Sequence, residues 1–142
     1  TNTRAEESYP LVNKLSHAGV KVNITALMLL EQVRQVGVAI EGGASCCVSV
    51  FAGRIADTGK DPMPLMAAAV ELLRPYPNAE LIWASPRELL NIFQADTVGC
   101  HIITATSDVL KKLPLIGMDL AAYSLETVEM FYNDARSAGF QL

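Results

Sequence analysis

The chain is poor in the residues from which metal centres, disulfide frameworks and imidazole chemistry are built. Its 142 residues include three cysteines and two histidines. Cys46 and Cys47 are adjacent, and neighbours on a strand point to opposite faces, so they suit neither a disulfide scaffold nor a clustered thiolate site. The expectation is that Cys46, Cys47 and Cys100 are reduced and pack as small apolar side chains, with no metal and no cofactor. His17 and His101 stand far apart with no motif around them, which suits structural roles.

Excess positive charge is also missing. The net charge is −4 at pH 7, and the scattered lysines form no basic stripe of the kind that tracks nucleic acid or an anionic membrane. Apolar runs are broken by Lys, Glu or Asn well short of the roughly 18 residues that a membrane span needs. The N-terminus has no apolar core of a secretory signal. These absences describe a cytoplasmic globular chain, and a hydrophobic share of 51% is too high for disorder. Asp57-Thr58-Gly59-Lys60 lacks the glycine spacing of a nucleotide-binding P-loop.

What is present is an alternation of strand-like and helix-like stretches. Thr3-Arg4-Ala5-Glu6 reads as a capping box, with Leu11, Val12 and Leu15 at helical spacing and Gly19 as the stop. A strand is expected over residues 20–25, then a helix through Leu27, Leu30, Val33 and Val36 that ends near Glu41-Gly42-Gly43. Residues 44–51 form the next expected strand. After a polar loop, Asp61-Pro62 opens a helix that Arg74-Pro75-Tyr76-Pro77 closes. A third strand over residues 79–84 meets Ser85-Pro86-Arg87-Glu88, read as a capping box and helix start, with Leu89, Leu90 and Phe93 as the apolar face. A fourth strand over residues 99–104 leads to a short helix from Ser107. Ser124 is the expected N-cap of a C-terminal helix carrying Leu125, Val128, Phe131 and Ala135. Regular strand–helix alternation predicts one α/β domain over residues 1–142 with a parallel sheet and right-handed crossovers.

Two segments end a strand and then present a hydroxyl and a guanidinium: Ser49-Val50-Phe51-Ala52-Gly53-Arg54-Ile55 and Trp83-Ala84-Ser85-Pro86-Arg87. Such groups at the mouth of a parallel sheet can hold a phosphate, so a phosphorylated substrate is expected. The bland readings are a surface pairing of Arg54 with Asp57 and a purely capping role for Ser85. Asn23 and Thr25 share one face of the first strand with Lys21, opposite the apolar Val22 and Ile24. A polar face suits the lumen of a barrel better than an open sheet covered on both sides.

Val22-Asn23-Ile24-Thr25-Ala26, the Ser49–Ile55 and Trp83–Arg87 blocks, and Asn91-Ile92-Phe93-Gln94-Ala95-Asp96 resemble successive blocks of the transaldolase and fructose-6-phosphate aldolase family. The resemblance is in order and covers nearly the whole chain. It implies a parallel (β/α) barrel of TIM type, here only its C-terminal half of four strand–helix units plus a C-terminal helix. It further implies Schiff-base transfer of a dihydroxyacetone unit between sugar phosphates, as in the pentose phosphate pathway, without metal or cofactor. On that resemblance Asn23 bonds a substrate hydroxyl and Thr25 positions a water for proton transfer. Ser49 and Phe51 line the pocket, Arg54 holds a substrate oxygen or phosphate, and Ser85 with Arg87 clamps the phosphate. Phe51 stands where aldolase members carry tyrosine and transaldolase members phenylalanine, which favours transaldolase.

The family's Schiff-base lysine stands on the fourth strand, just ahead of a turn that Thr1-Asn2-Thr3 resembles, so it is expected to lie outside this chain. Complete barrels run from about 200 residues upward, and a half-barrel exposes open strand edges. The expected partners are sugar-phosphate substrates and either the missing N-terminal half or another copy in a homo-oligomer. The chain alone is expected to be inactive. The alternatives are a non-catalytic sugar-phosphate-binding half-barrel or assembly module, and an open flavodoxin-like domain that binds a flavin or nucleotide.

Overall fold

The computed structural model describes residue 4 and residues 6–140. The chain divides into two compact units with the boundary between Leu110 and Lys111. The first unit contains α1 (Tyr9–His17), β1 (Asn23–Leu27), α2 (Leu30–Ile40), β2 (Cys46–Val50), α3 (Ala52–Ala56), α4 (Met63–Leu73), β3 (Ala79–Trp83), α5 (Leu90–Thr97), β4 (Ile102–Ile103) and α6 (Ser107–Leu110). The second holds a 3₁₀ turn, Leu113–Leu115, and α7 (Leu120–Ser137).

The four strands form one parallel sheet in the order of the sequence. Asn23 lies beside Cys47, Ser49 beside Ile82 and Trp83 beside Ile103. Parallel neighbours need crossover connections, and helical segments supply each of them. This α/β architecture is what the strand–helix alternation predicts, and it fits part of a TIM-barrel-like fold.

Alternation along the strands sorts the two faces. Cys46, Val48 and Val50 of β2 and Ala79, Leu81 and Trp83 of β3 join the apolar core, against Val33, Val36 and Ile40 of α2 and Met66, Ala69 and Leu73 of α4. The intervening Cys47, Ser49, Glu80 and Ile82 are outside that core and line the opposite face with Asn23. Complete burial of a Val, Leu or Ile side chain is worth about 1.5–3 kcal/mol, so a one-residue slip on β2 would exchange valines for a serine and a cysteine. That difference pins the register.

Several boundaries differ from the sequence expectation. β1 begins three residues later than expected, because pairing with β2 starts where the Cys47 N–H donates to the Val22 carbonyl at 2.9 Å. Leu27 accordingly belongs to the strand and is buried, and α2 starts at Leu30. The polar loop expected after β2 contains α3, a helix of 5 residues and too short to show helical periodicity. Pro62 is the N-cap of α4 rather than a residue of its first turn, and Asp61, one residue earlier, accepts the Met63 N–H on its Oδ1 at 2.9 Å. α5 starts at Leu90 rather than at Ser85. Its buried residues are Asn91 and Ala95, whereas Leu90 and Phe93 are exposed. β4 is reduced to Ile102–Ile103. Asp119, not Ser124, caps α7, accepting from the N–H groups of Ala121 and Ala122. The expected capping box at Thr3 and the turn at Thr1-Asn2-Thr3 lie outside the described residues.

Candidate functional site

The C-terminal ends of the strands are stitched together by backbone hydrogen bonds that continue past the sheet. The Phe51 N–H donates to the Leu27 carbonyl at 2.9 Å, Ala84 N–H to Val50 at 2.8 Å, and Thr104 N–H to Trp83 at 3.2 Å. The segments leaving β1, β2 and β3 therefore start from one edge of the sheet. That edge carries most of the residues singled out from the sequence.

Asn23 and Ser49 meet directly across the β1–β2 pair. Ser49, a residue 3% exposed, donates its hydroxyl to Asn23 Oδ1 at 2.7 Å. Because Oδ1 is occupied, the amide Nδ2 is turned away from Ser49 and remains a donor. Thr25 is exposed and precedes Ala26, whose φ of 62° is left-handed. The β1–β2 register slips there, between Ile24 and Leu27, and bulges of this kind re-aim side chains at strand ends.

Arg54 lies on α3, which turns immediately out of β2. Its guanidinium stands over the Phe51 ring at 5.8 Å from the centroid, a cation–π arrangement worth about 0.5–1 kcal/mol at exposed sites. Phe51 is half-buried and Arg54 exposed. Asp57, the C-cap of α3, pairs not with Arg54 but with Arg87, whose Nη2 donates to its Oδ2 at 2.5 Å.

Ser85 does not cap a helix. Its φ is 60°, outside the extended region an N-cap adopts and costly for a residue with a Cβ. Its N–H donates to Thr104 Oγ1 at 3.3 Å. Asn91 holds the loop instead, from inside α5: its Oδ1 accepts the N–H groups of Arg87 at 2.7 Å and Glu88 at 3.1 Å, and its Nδ2 donates to Gln94. Gly53 sits so close that a Cβ on it would fall 3.3 Å from Arg87 Nε, and its N–H donates to the Ala84 carbonyl at 3.3 Å. The structure thus joins α3 to the Ser85–Glu88 loop, Phe51 to Arg54, and Asn23 to Ser49.

Gly53, Asp57, Asn91 and Thr104 are the supports that sequence reasoning did not assign to the site. Gly53 and Asn91 stand within the blocks that carry the resemblance, and Asp57 enters the sequence reading only as a surface partner for Arg54. The remaining reactive groups are elsewhere. Burial pushes the Cys46 thiol up to about 11, with smaller effects from Cys47 and Glu80, and burial also raises Cys100, so neither is a thiolate near neutrality. All three cysteines are free. Among the described residues no cluster of three His, Cys, Asp or Glu could hold a metal, and no helix is long and apolar enough to cross a membrane. Lys21 is exposed and precedes β1, at the sheet edge opposite Phe51 and Ser85.

Four parallel strands joined by helices, with Phe51, Arg54, Ser85 and Arg87 just beyond the strands' C-terminal ends and Asn23 at the start of β1, define an α/β protein of partial TIM-barrel type. Within that class, the chain belongs to the Transaldolase/Fructose-6-phosphate aldolase family, which matches residues 3–142. It is 36% identical over 109 residues to a probable transaldolase of Methanococcus maripaludis strain C5, covering 76% of this chain and 49% of that protein. It is 31% identical over 137 residues to a probable transaldolase of Thermoanaerobacter sp. strain X514, covering 96% and 59%. A probable transaldolase of Caldicellulosiruptor saccharolyticus is 33% identical over 109 residues, covering 75% and 48%. The chain spans about half the length of these curated relatives.

Proposed function

We propose that residues 1–142 form one domain, the C-terminal half of a (β/α) barrel in a transaldolase-type enzyme of the cytoplasm. The enzyme transfers a dihydroxyacetone unit between sugar phosphates through a lysine Schiff base, and that lysine lies outside residues 1–142. The observation that carries this reading is the union of α3 with the Ser85–Glu88 loop, which brings the segments bearing Arg54 and Arg87 to one sheet edge in a chain of this family.

In this reading the phosphate binds the Ser85 hydroxyl and the guanidinium of Arg87, with Arg54 holding a second oxygen. Charge-assisted bonds of this kind are about twice as strong as neutral ones, and binding energy at the non-reacting phosphate serves to position the carbonyl for attack. Asn23 donates from Nδ2 to a substrate oxygen, oriented by the bond from Ser49 to its Oδ1. Thr25 places the water that relays protons. Phe51 contributes a pocket wall without a hydroxyl, which suits transfer of the dihydroxyacetone unit.

A Schiff-base amine is activated by burial or neighbouring cations. Lys14, Lys21, Lys60, Lys111 and Lys112 are all exposed, which supports a nucleophile supplied from elsewhere. The end strands of the sheet, β1 and β4, would pair with the other half of the barrel or with a second copy. The same exposure of every lysine favours a second reading, a non-catalytic sugar-phosphate-binding half-barrel or assembly module.

Mixing the chain with a separately produced N-terminal half, and following transfer from fructose 6-phosphate to an aldehyde phosphate, separates the two. Turnover that disappears with Ser85→Ala or Arg87→Ala is the expected result. Sugar-phosphate binding with no turnover in the assembled pair would favour the binding module.

A further inference from the structure

We propose that Asp57 is a positioning residue for the phosphate-binding arginine, a role that rests on the reading of Ser85 and Arg87 as the phosphate clamp. Arg87 has a long side chain that is 51% exposed, so by itself it samples many rotamers. Asp57 removes much of that freedom. It engages one guanidinium nitrogen, Nη2, through one oxygen, Oδ2, at 2.5 Å. A guanidinium carries five N–H donors, so this single contact orients the fork and leaves most of it for a phosphate.

The carboxylate is itself fixed. Asp57 ends α3, with its N–H donating to the Gly53 carbonyl at 3.0 Å, and Gly53 lies against the backbone of Ser85. Arg54 stands three residues before Asp57 on the same short helix, close to one turn. One helix therefore presents one guanidinium and aims the other. Asn91 fixes the remaining variable, the backbone of Arg87, whose N–H donates to Asn91 Oδ1 at 2.7 Å.

An alternative role for the same carboxylate is opposition. Asp57 carries negative charge next to the place of a dianion, and if repulsion dominated, the protein would bind phosphate better without it. The geometry favours positioning. Asp57 is 52% exposed, so solvent and salt screen its field, while the rotamer restriction of Arg87 persists in water. An exposed pair contributes little to folding, so its removal leaves thermal stability nearly unchanged.

The test is calorimetric titration of the 142-residue chain with fructose 6-phosphate and with fructose, in the parent, Asp57→Ala and Asp57→Asn proteins. The amide keeps an acceptor for Arg87 and loses the charge. Positioning predicts that Asp57→Ala weakens fructose 6-phosphate binding about three- to tenfold, that Asp57→Asn restores most of it, and that fructose binding changes in neither. Parent-like affinity in Asp57→Ala, or tighter binding in both variants, would overturn the role of Asp57 while leaving the phosphate clamp intact. Fructose and fructose 6-phosphate binding equally to the parent would overturn the clamp and this role together. The NMR signal of the Arg87 Nε–H in the ligand-free chain gives an independent reading. In Asp57→Ala it should shift towards that of a freely rotating arginine and broaden through faster exchange with water, and an unchanged signal would contradict the proposal.

Discussion

Gly53 lies against the carbonyl of Ser85 so closely that a Cβ on Gly53 would fall 1.5 Å from that oxygen and 2.7 Å from its carbon. The neighbour is backbone, which cannot swing aside as a flexible side chain can. Two segments leaving adjacent strands are thereby packed main chain to main chain, and the left-handed φ of Ser85 belongs to the same arrangement.

Replacing Gly53 by alanine sets two effects against each other. In a helix interior the change normally stabilises by about 0.5–1 kcal/mol, whereas forcing extra atoms into a filled contact costs about 1–3 kcal/mol. Because the obstruction is backbone, the second effect wins. Gly53→Ala should lower stability by about 1–2 kcal/mol in urea denaturation and weaken binding of fructose 6-phosphate, since α3 and the Ser85 loop must separate. Unchanged stability would show that the two segments are not in contact.

The bond between Ser49 and Asn23 predicts an asymmetry. Ser49 is buried and Asn23 exposed. Removing the amide in Asn23→Ala strands a buried hydroxyl, at a cost of about 1–3 kcal/mol, whereas Ser49→Ala leaves an exposed amide that water can satisfy, at about 0.5–1.5 kcal/mol. Denaturant titration should therefore find Asn23→Ala the more destabilising of the two. The reverse order would place the burial on the wrong partner.

The buried thiol of Cys46 gives a pH dependence. Burial raises it from 9.0 to about 11, so the unfolded chain loses this proton at lower pH than the folded one. The associated stability is complete below pH 9, falls as pH rises and is gone by about pH 11, on the order of 2 kcal/mol in all. Stability measured from pH 8 to 11 should fall more steeply in the parent than in Cys46→Ala. Parallel curves would contradict it.

The strand–helix alternation and the residue blocks at the strand ends were legible in the sequence because burial and hydroxyl–guanidinium pairs leave local patterns. What was not legible depended on contacts between segments distant in the chain. Ser85-Pro86-Arg87-Glu88 has every local mark of a helix start, yet the Ser85 carbonyl packs on Gly53 and its N–H reaches Thr104, so the helix begins only at Leu90. The pairing of Asp57 with Arg87 rather than Arg54 spans 30 residues and has no local signature. α3 escaped notice because its 5 residues cannot complete a second turn, and a helix that short is held by its surroundings rather than by propensity. The late start of β1 follows from where Val22 meets Cys47, which β2 decides.

The central claim is that this chain binds the substrate while a lysine from elsewhere forms the covalent bond. Borohydride trapping with fructose 6-phosphate, followed by mass mapping, tests it most directly, using the chain alone and mixed with an N-terminal barrel half. The account predicts no reduced adduct on any lysine of these 142 residues in either sample, and an adduct on the added half in the mixture. A borohydride-stable adduct on Lys21, or on any other lysine of this chain, would contradict it.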